Sequence, residues 1–439
     1  MNKEKLGRKI IENLHQAGFE AYFAGGCVRD RERGVAPKDF DITTSATPDQ
    51  ITQLFSKTVP VGAAFGVILV IEDDIPFEVA TFRKEGPYQD GRHPEKVSFS
   101  TVEEDVQRRD FTVNGLYLDI RNNQVIDLVG GREDLQKKII RTIGDPEKRF
   151  LEDHLRLMRA IRFAVQLGFE IESATFAAIK KHAKKISLIS AERVRDEFTK
   201  ILTSPQPARG IRLLDETGLA KEFFPELSKM KGVEQPMEYH PEGDVFIHTL
   251  LLLDGLKNAE IELAMGALLH DVAKPNTFQR APDRIRFHGH DVLGAQMARE
   301  ICKRLAFSNE QTELIASLVL EHLRFKDVFN MRLSTLKRFL SLPRFDLHLE
   351  QHRLDCLASY GNLDAYQFAK VKYEEFLKEP PPPSKLVTGA DLKAFGFVPG
   401  PIFTEILRDV EDQILEGAIR DREEALDYVK KKFLIKGRP

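Results

Sequence analysis

Two carboxylates one residue apart, in Asp39-Phe40-Asp41, follow a glycine pair and an arginine in Gly25-Gly26-Cys27-Val28-Arg29-Asp30. On a strand, a spacing of two puts both carboxylates on one face. There they can hold a divalent ion between protein and phosphates. The glycines allow close approach of the backbone, and an arginine pairs with phosphate through two donors. Asp-x-Asp alone is common in solvated turns. The ordered set, with a β-rich run after it, points to nucleotidyl transfer.

Three further groups fit that chemistry. Glu78 in Phe77-Glu78-Val79-Ala80-Thr81 reads either as a third carboxylate from a neighbouring strand or as an ion-pair partner of Arg83. In Arg108-Arg109-Asp110-Phe111-Thr112-Val113-Asn114 the arginines can neutralise phosphates and Asp110 can accept from a ribose hydroxyl. The plainer reading is an exposed basic helix start capped by Asp110. In Arg149-Phe150-Leu151-Glu152-Asp153-His154-Leu155-Arg156 the spacing predicts Asp153 and Arg156 three apart on one helix face, with Arg159 and Arg162 extending the ridge. As acceptor and donor they could read the Watson–Crick edges of cytosine and adenine. The alternative is an i,i+3 salt bridge worth a few tenths of a kcal/mol.

A second centre lies downstream. His248, His270-Asp271, His288, His290 and His322 are five of the twelve histidines, and Asp355 follows them. Each histidine alone reads as a surface or satisfied core residue. Gathered with Asp271 and Asp355 in one helical region, they suit a hydrolytic transition-metal or magnesium site.

The elements that must position these groups are legible in outline. Short β-like runs, Glu20–Ala24, Phe40–Thr43, Val67–Ile71, Phe77–Thr81, Gly115–Asp119 and Val125–Val129, are flanked by helical patterns at Lys3–Gln16 and Thr47–Phe55. From Gly144 the pattern turns helical, with Ile161–Leu167, Ala174–His182, Glu192–Leu202 and Ala208–Thr217 at helical spacing. Pro236, Pro241 and Gly243 mark a boundary in the loop Glu234–Asp244, and a second helical region runs from Val245 to about Gly361. The run Glu379-Pro380-Pro381-Pro382-Pro383-Ser384 predicts a stiff connector to a helical tail, Gly389–Phe433.

Composition sets the bounds. A chain of 439 residues exceeds the ~250–300 at which a single core stops growing, so several domains are expected. Apolar and charged fractions of 42% and 30% suit a soluble globular protein. No apolar run nears the ~18 residues needed to span a bilayer, and residues Met1–Glu20 lack the apolar core of a signal peptide, so no membrane partner is expected. Three scattered cysteines, Cys27, Cys302 and Cys356, predict reduced thiols and a cytoplasmic setting. The net charge of −3 gives no support of its own for a nucleic-acid partner. Basic clusters at Lys180-Lys181, Lys184-Lys185 and Lys430–Lys432 read first as solvated helix faces. No signature sets an oligomeric state.

The motifs at Gly25–Asp30, Asp39–Thr44, Arg108–Asn114 and Glu152–Arg156 together resemble, in order, those of the class II tRNA nucleotidyltransferase (CCA-adding) and bacterial poly(A) polymerase family, of the polymerase β superfamily. Thr81–Arg83 through Asp90–Pro94 resembles the family's flexible loop, which CCA-adding members need for the final A. Asp127-Leu128-Val129-Gly130-Gly131 with Asp134-Leu135 resembles the hinge motif. The likeness continues through Glu192-Arg193-Val194-Arg195 to Thr388–Leu392 and Pro399–Pro401. Arg31-Glu32-Arg33 departs from it, standing where apolar residues are usual, which predicts a more exposed stretch.

The resemblance implies an α+β fold: a polymerase β-like head with a small mixed sheet, followed by all-α neck, HD and tail regions. The expected divisions are head 1–143, neck 144–235, HD phosphohydrolase domain 236–378, and proline linker with tail 379–439. It implies Mg2+ at Asp39 and Asp41. Gly25, Gly26, Arg29, Arg109, Asp110, Asn114, Arg159 and Arg162 would bind nucleotide, and Asp153 and Arg156 would select the base without a template. In the HD region His248, His270, Asp271 and Asp355 would hold a first divalent ion (Mg2+, Mn2+, Ni2+ or similar). His290 and His322 would add ligands of two-metal members, with Asp271 bridging. The implied activity is addition of CCA to tRNA from CTP and ATP, with metal-dependent phosphoester hydrolysis at the second centre. The alternatives are an A-adding enzyme or poly(A) polymerase, an HD domain that only supports tRNA, and a phosphohydrolase whose head only binds tRNA. Retention of Asp39, Asp41 and the arginines argues against the last.

Overall fold

The computed structural model describes residues 3–62, 65–86, 97–238, 240–380 and 386–434. Two compact units emerge: Met1–Lys229 with Leu256–Ile261 and Arg304–Phe307, and Met230–Gly255 with Glu262–Lys303 and Ser308–Pro439.

The first unit opens with helix α1 (Lys3–Gln16), whose Leu6, Ile10, Ile11 and Leu14 share one buried face. Each such side chain contributes about 1.5–3 kcal/mol through burial. Strand β1 (Ala21–Ala24) leads into helix α2 (Gly26–Glu32), and strand β2 (Asp41–Thr44) into helix α3 (Pro48–Leu54). A capping box between Thr47 and Gln50, with Pro48 in the first turn, starts α3. Strands β3 (Thr58–Gly62), β4 (Val67–Glu72) and β5 (Ile75–Thr81) follow, then a short ladder, β6 (Arg83–Glu85) with β7 (Val97–Phe99). Helix α4 (Val102–Gln107), strands β8 (Leu116–Asp119) and β9 (Gln124–Asp127), and helix α5 (Gly131–Lys137) complete the sheet region.

Seven strands form one mixed sheet in the order β3-β4-β5-β2-β1-β8-β9, with β2 and β5 parallel. Strand β3 was not expected from the sequence, because Pro60 cannot donate to a ladder. Its position at the sheet edge accommodates that proline. One face packs on α1 and α3 through Ile10, Phe23, Ile42 and Phe77, the other on Tyr22, Phe82, Val106 and Tyr117. Of the expected flexible loop, residues 87–94 lie outside the described residues, as do 381–384 of the proline run.

Helices α6 (Pro146–Glu152), α7 (Arg156–Leu167), α8 (Ser173–His182), α9 (Ala191–Leu202), α10 (Pro207–Glu216), α11 (Leu219–Phe223) and α12 (Pro225–Lys229) continue this unit. The helical pattern is broken at Asp153, which caps α6 in extended conformation. The region is not wholly helical: Ile139–Ile140 pairs with Glu170–Ile171.

In the second unit, helices α13 (Val245–Asp254), α14 (Ile261–Leu269), α15 (Lys274–Thr277), α16 (His290–Arg304), α17 (Asn309–Glu321), α18 (Leu333–Leu340), α19 (Phe345–Ala358) and α20 (Asp364–Phe376) form the helical body. A two-strand ladder, Gln279–Arg280 with Ile285–Arg286, interrupts the expected all-helical region. The tail helices α21 (Gly389–Ala394), α22 (Pro401–Leu415) and α23 (Arg422–Val429) bury Leu392, Ile406, Val410 and Val429 together.

Candidate active site and metal centre

Strand register builds the first site. Ala24 pairs with Asp41, so the Gly25-Gly26 turn emerges beside the start of β2. Ile42 pairs in parallel with Val79, which sets Glu78 next to Asp41 on the same sheet face. Gly25 has φ 72°, a conformation L side chains avoid, and a Cβ there would stand 3.3 Å from Arg109 Nη1. Desolvation and the Glu78 charge raise the Asp41 carboxyl above its ordinary range, with Arg109 opposing. Asp39 stands apart, 80% exposed and paired with Lys3 at 2.6 Å. Among the described residues the three carboxylates do not close to within 4.8 Å of one another.

The arginines are tied into one network. Arg29 Nη1 donates to Asn114 Oδ1 at 2.7 Å, and Asn114 Nδ2 donates to Asp110 Oδ1 at 3.1 Å. Asp110 Oδ2 accepts from Arg159 Nε at 2.9 Å, while its Oδ1 also accepts the Phe111 N–H at 2.8 Å. Burial opposes ionisation of Asp110, yet Arg159 and Asn114 hold its carboxyl far below the ordinary range. Its oxygens are saturated within the protein, so the expectation of a ribose acceptor gives way to an anchor for Arg159. The Phe163 ring gathers Arg29, Arg159 and Arg162 at 5.6, 5.3 and 4.1 Å from its centroid. Arg162 pairs with Glu197 at 2.9 Å; burial and Arg159 push its guanidinium down to about 10.

Asp153 and Arg156 do not share a helix face, since the chain leaves helical geometry between them. Asp153 Oδ1 accepts the Leu155 N–H at 3.1 Å and lies 3.5 Å from Arg193 Nη2. The buried Arg156 donates to Glu152 Oε2 and to the carbonyls of Arg108 and Arg149.

Sequence reasoning missed several partners. Buried Asp105 holds Arg108 at 2.6 Å, Arg109 at 3.2 Å and the Tyr117 hydroxyl at 2.9 Å. The i,i+3 and i,i+4 spacing of Asp105 to the arginines was a signal for it. Phe163 and Glu197 carried none without the fold, while Arg193 was marked only as part of the Glu192–Arg195 likeness.

The second unit concentrates histidine and carboxylate. His248 lies on α13, His270-Asp271 follow α14, His290 opens α16, His322 ends α17 and Asp355 lies on α19. Ligand atoms of His248, His270 and Asp271, and of Asp271, His290 and His322, lie within 4.8 Å of one another. His240, Glu242 and His248 make a third such group, and the first two were not anticipated. Asp355 Oδ1 is 3.0 Å from His248 Nε2. His288, beside the group, is exposed.

Nε2 of His270 and of His290 lie 3.1 and 3.4 Å from the Asp271 oxygens, all buried and short of good hydrogen-bond geometry, and Lys274 Nζ is 2.7 Å from Asp271 Oδ2. Buried polar atoms normally find partners, and imidazole with carboxylate suits a divalent metal. This donor set fits one. Burial opposes ionisation of Asp271, but His270 and Lys274 hold its carboxyl well below the ordinary range. Burial brings His322 down to about 4, keeping it neutral and able to ligate. Lys274, Arg284, Arg286 and Lys326 line the adjoining cleft of about 450 Å³, a setting for an anionic substrate.

The family model for the poly A polymerase head domain matches residues 21–141, that for the "Probable RNA and SrmB- binding site of polymerase A" residues 168–231, and that for the HD domain residues 244–343. The chain is 34% identical over 427 residues to a CCA-adding enzyme of Streptococcus sanguinis, covering 96% of each. It is 46% identical over 218 residues to a CCA-adding enzyme of Ligilactobacillus salivarius, a match spanning 49% of this chain and about half, 54%, of that relative. A crystal structure of the Bacillus stearothermophilus CCA-adding enzyme in complex with CTP superposes with a TM-score of 0.74 at 28% identity, covering 99% of both chains. No described helix is long and apolar enough to cross a membrane. The chain belongs to the CCA-adding enzyme family of nucleotidyltransferases.

Proposed function

We propose that the chain adds C, C and A to the 3′ end of tRNA from CTP and ATP without a template, in the cytoplasm, and that its HD region (236–378) is a metal-dependent phosphohydrolase. The head (1–143) and neck (144–235) serve the first reaction, and the region 379–439 is linker and tail. The observation that carries the reading is the linked set Arg29–Asn114–Asp110–Arg159. It brings three separated motifs together.

Phosphoryl transfer asks for positioning and charge neutralisation more than covalent work. Mg2+ held by Asp39 and Asp41, with Glu78 alongside, would supply neutralisation at the transferring phosphoryl group and activation of the attacking hydroxyl. Gly25 and Gly26 leave room for the triphosphate, and Arg29, Arg109, Arg159 and Arg162 bind its oxygens. Asp153 accepts from the exocyclic amino group that cytosine and adenine share. Uracil and guanine present a carbonyl oxygen there and are rejected. Arg156 supplies the donor half once it exchanges the Arg108 carbonyl for the base. In the HD region His248, His270, Asp271 and Asp355, with His290 and His322, would hold Mg2+, Mn2+, Ni2+ or a similar ion, which would supply activation of a water for attack on phosphorus. Lys274 and Arg286 orient the phosphoester.

The test is incubation with tRNA ending at the discriminator base and each of the four NTPs, then product sequencing. CCA ends support the reading. A alone or an A tail indicates an A-adding enzyme or poly(A) polymerase, and no addition leaves the phosphohydrolase with a tRNA-binding head.

A further inference from the structure

His270, His290 and His322 share one device. Each turns Nδ1 to the backbone carbonyl three residues before it, Ala267, Phe287 and Val319, at 2.8, 2.7 and 2.6 Å. An Nδ1–H donor there leaves the Nε2 lone pair bare for an ion. His248 is held differently. Its ring is fully buried, with Nε2 hydrogen-bonded to Asp355 Oδ1 at 3.0 Å and Nδ1 2.7 Å from Glu242 Oε1, an ionic contact outside good hydrogen-bond geometry. Both ring nitrogens therefore face carboxylates. Nε2–H directed at Asp355 blocks ligation; Nδ1–H directed at Glu242 permits it.

Glu242 is placed to decide between them. Its side chain is only 6% exposed. The loop that carries it is closed by Gly243 N–H to the His240 carbonyl at 2.9 Å and Gln235 N–H to the Gly243 carbonyl at 3.1 Å. His240 Nδ1 meets the same Oε1 at 3.0 Å, and its ring stands edge-on to His248 at 4.7 Å between centroids.

We propose that Glu242 is the positioning residue of the His/Asp metal centre, accepting from His248 Nδ1–H and thereby keeping His248 Nε2 in the ligating tautomer. The proposal rests on the phosphohydrolase reading above. Carboxylates that orient a ligating histidine set metal affinity by roughly 10- to 100-fold. The test uses the full-length chain, stripped of metal and titrated calorimetrically with Mn2+. Binding that disappears in the His270→Ala/Asp271→Ala variant defines this centre. Glu242→Ala is expected to weaken Mn2+ there by that factor with stoichiometry unchanged. Glu242→Gln, whose carbonyl oxygen still accepts from Nδ1–H, is expected to restore most of the affinity. Both variants are expected to keep wild-type CTP addition. Wild-type Mn2+ affinity in Glu242→Ala overturns the proposal alone. So does a lost equivalent of Mn2+, which would make Glu242 a ligand, or Gln binding as weakly as Ala. A wild-type chain that binds no Mn2+ at this centre overturns the phosphohydrolase reading and the proposal with it.

Discussion

Replacing Asp110 with Asn tests how the head holds its arginines. Asp110 is buried, and its Oδ2 is the partner of Arg159. Asn keeps an oxygen for the Phe111 N–H and Asn114 but leaves the Arg159 guanidinium without its direct carboxylate partner. Removing one partner of a buried pair costs about 3–5 kcal/mol. Arg159 is 32% exposed, so water screens part of the loss, and about 3 kcal/mol is expected. At about 2–4 °C per kcal/mol this lowers the midpoint of the head by about 6–12 °C. Calorimetry of the whole chain reads it in the transition that CTP shifts upward, since a ligand stabilises the unit that binds it. The pH dependence is a second readout. The Asp110 carboxyl lies lower in the folded chain than in the unfolded one. Its stabilisation is full above the unfolded value of about 3.9 and fades as pH falls through the folded value. The gap between wild type and variant is therefore constant from about pH 8 to 5 and narrows below about pH 4. A midpoint within a degree of wild type, or a gap that ignores acid, would refute the ion-pair account.

Other expectations follow from the same geometry. Phe163→Leu removes the ring shared by Arg29, Arg159 and Arg162 and is expected to raise the KM for CTP roughly five- to tenfold with little change in kcat; an unchanged KM would make the ring a space-filler. Arg193→Ala frees Asp153 and is expected to relax the choice of C and A over U and G, with Arg193→Lys partly restoring it. Selectivity equal to wild type in the alanine variant contradicts a role for that pair. Gly25→Ala places a Cβ 3.3 Å from Arg109 Nη1 on a backbone at φ 72°, at a cost of about 1 kcal/mol or more, and is expected to weaken CTP binding as Arg109 shifts. Tight CTP binding by a folded variant would count against the close approach.

The head was legible because its strands are short β-rich runs bounded by turns. Helix Lys3–Gln16 matches its expected bounds, and six expected β runs lie within a residue or two of strands. Strand Thr58–Gly62 was hidden by Pro60, tolerated only because the strand is at the edge. The helix periodicity that carried Arg159 and Arg162 misled at Asp153, where the backbone breaks while the side-chain pattern continues. The departure Arg31-Glu32-Arg33 is accounted for by exposure: Glu32 pairs with Arg132 at 2.8 Å, and Arg31 donates to Asn123. Partners contributed from distant sequence, such as Arg193 to Asp153 or Phe163 to Arg29, depend on packing that no local pattern encodes. Glu242 was passed over because it sits in a Pro- and Gly-containing loop that reads as a boundary, not as chemistry.

The most direct measurement of the central claim sets two variants against two reactions: CTP incorporation into tRNA, and hydrolysis of 2′,3′-cyclic AMP with Mn2+, Ni2+ or Mg2+. Asp39→Ala/Asp41→Ala is expected to abolish incorporation, retain tRNA binding and leave hydrolysis intact. His270→Ala/Asp271→Ala is expected to abolish hydrolysis and leave incorporation intact. Incorporation that survives loss of both head carboxylates, or that falls in a folded His270→Ala/Asp271→Ala chain, would contradict the account of two separate centres.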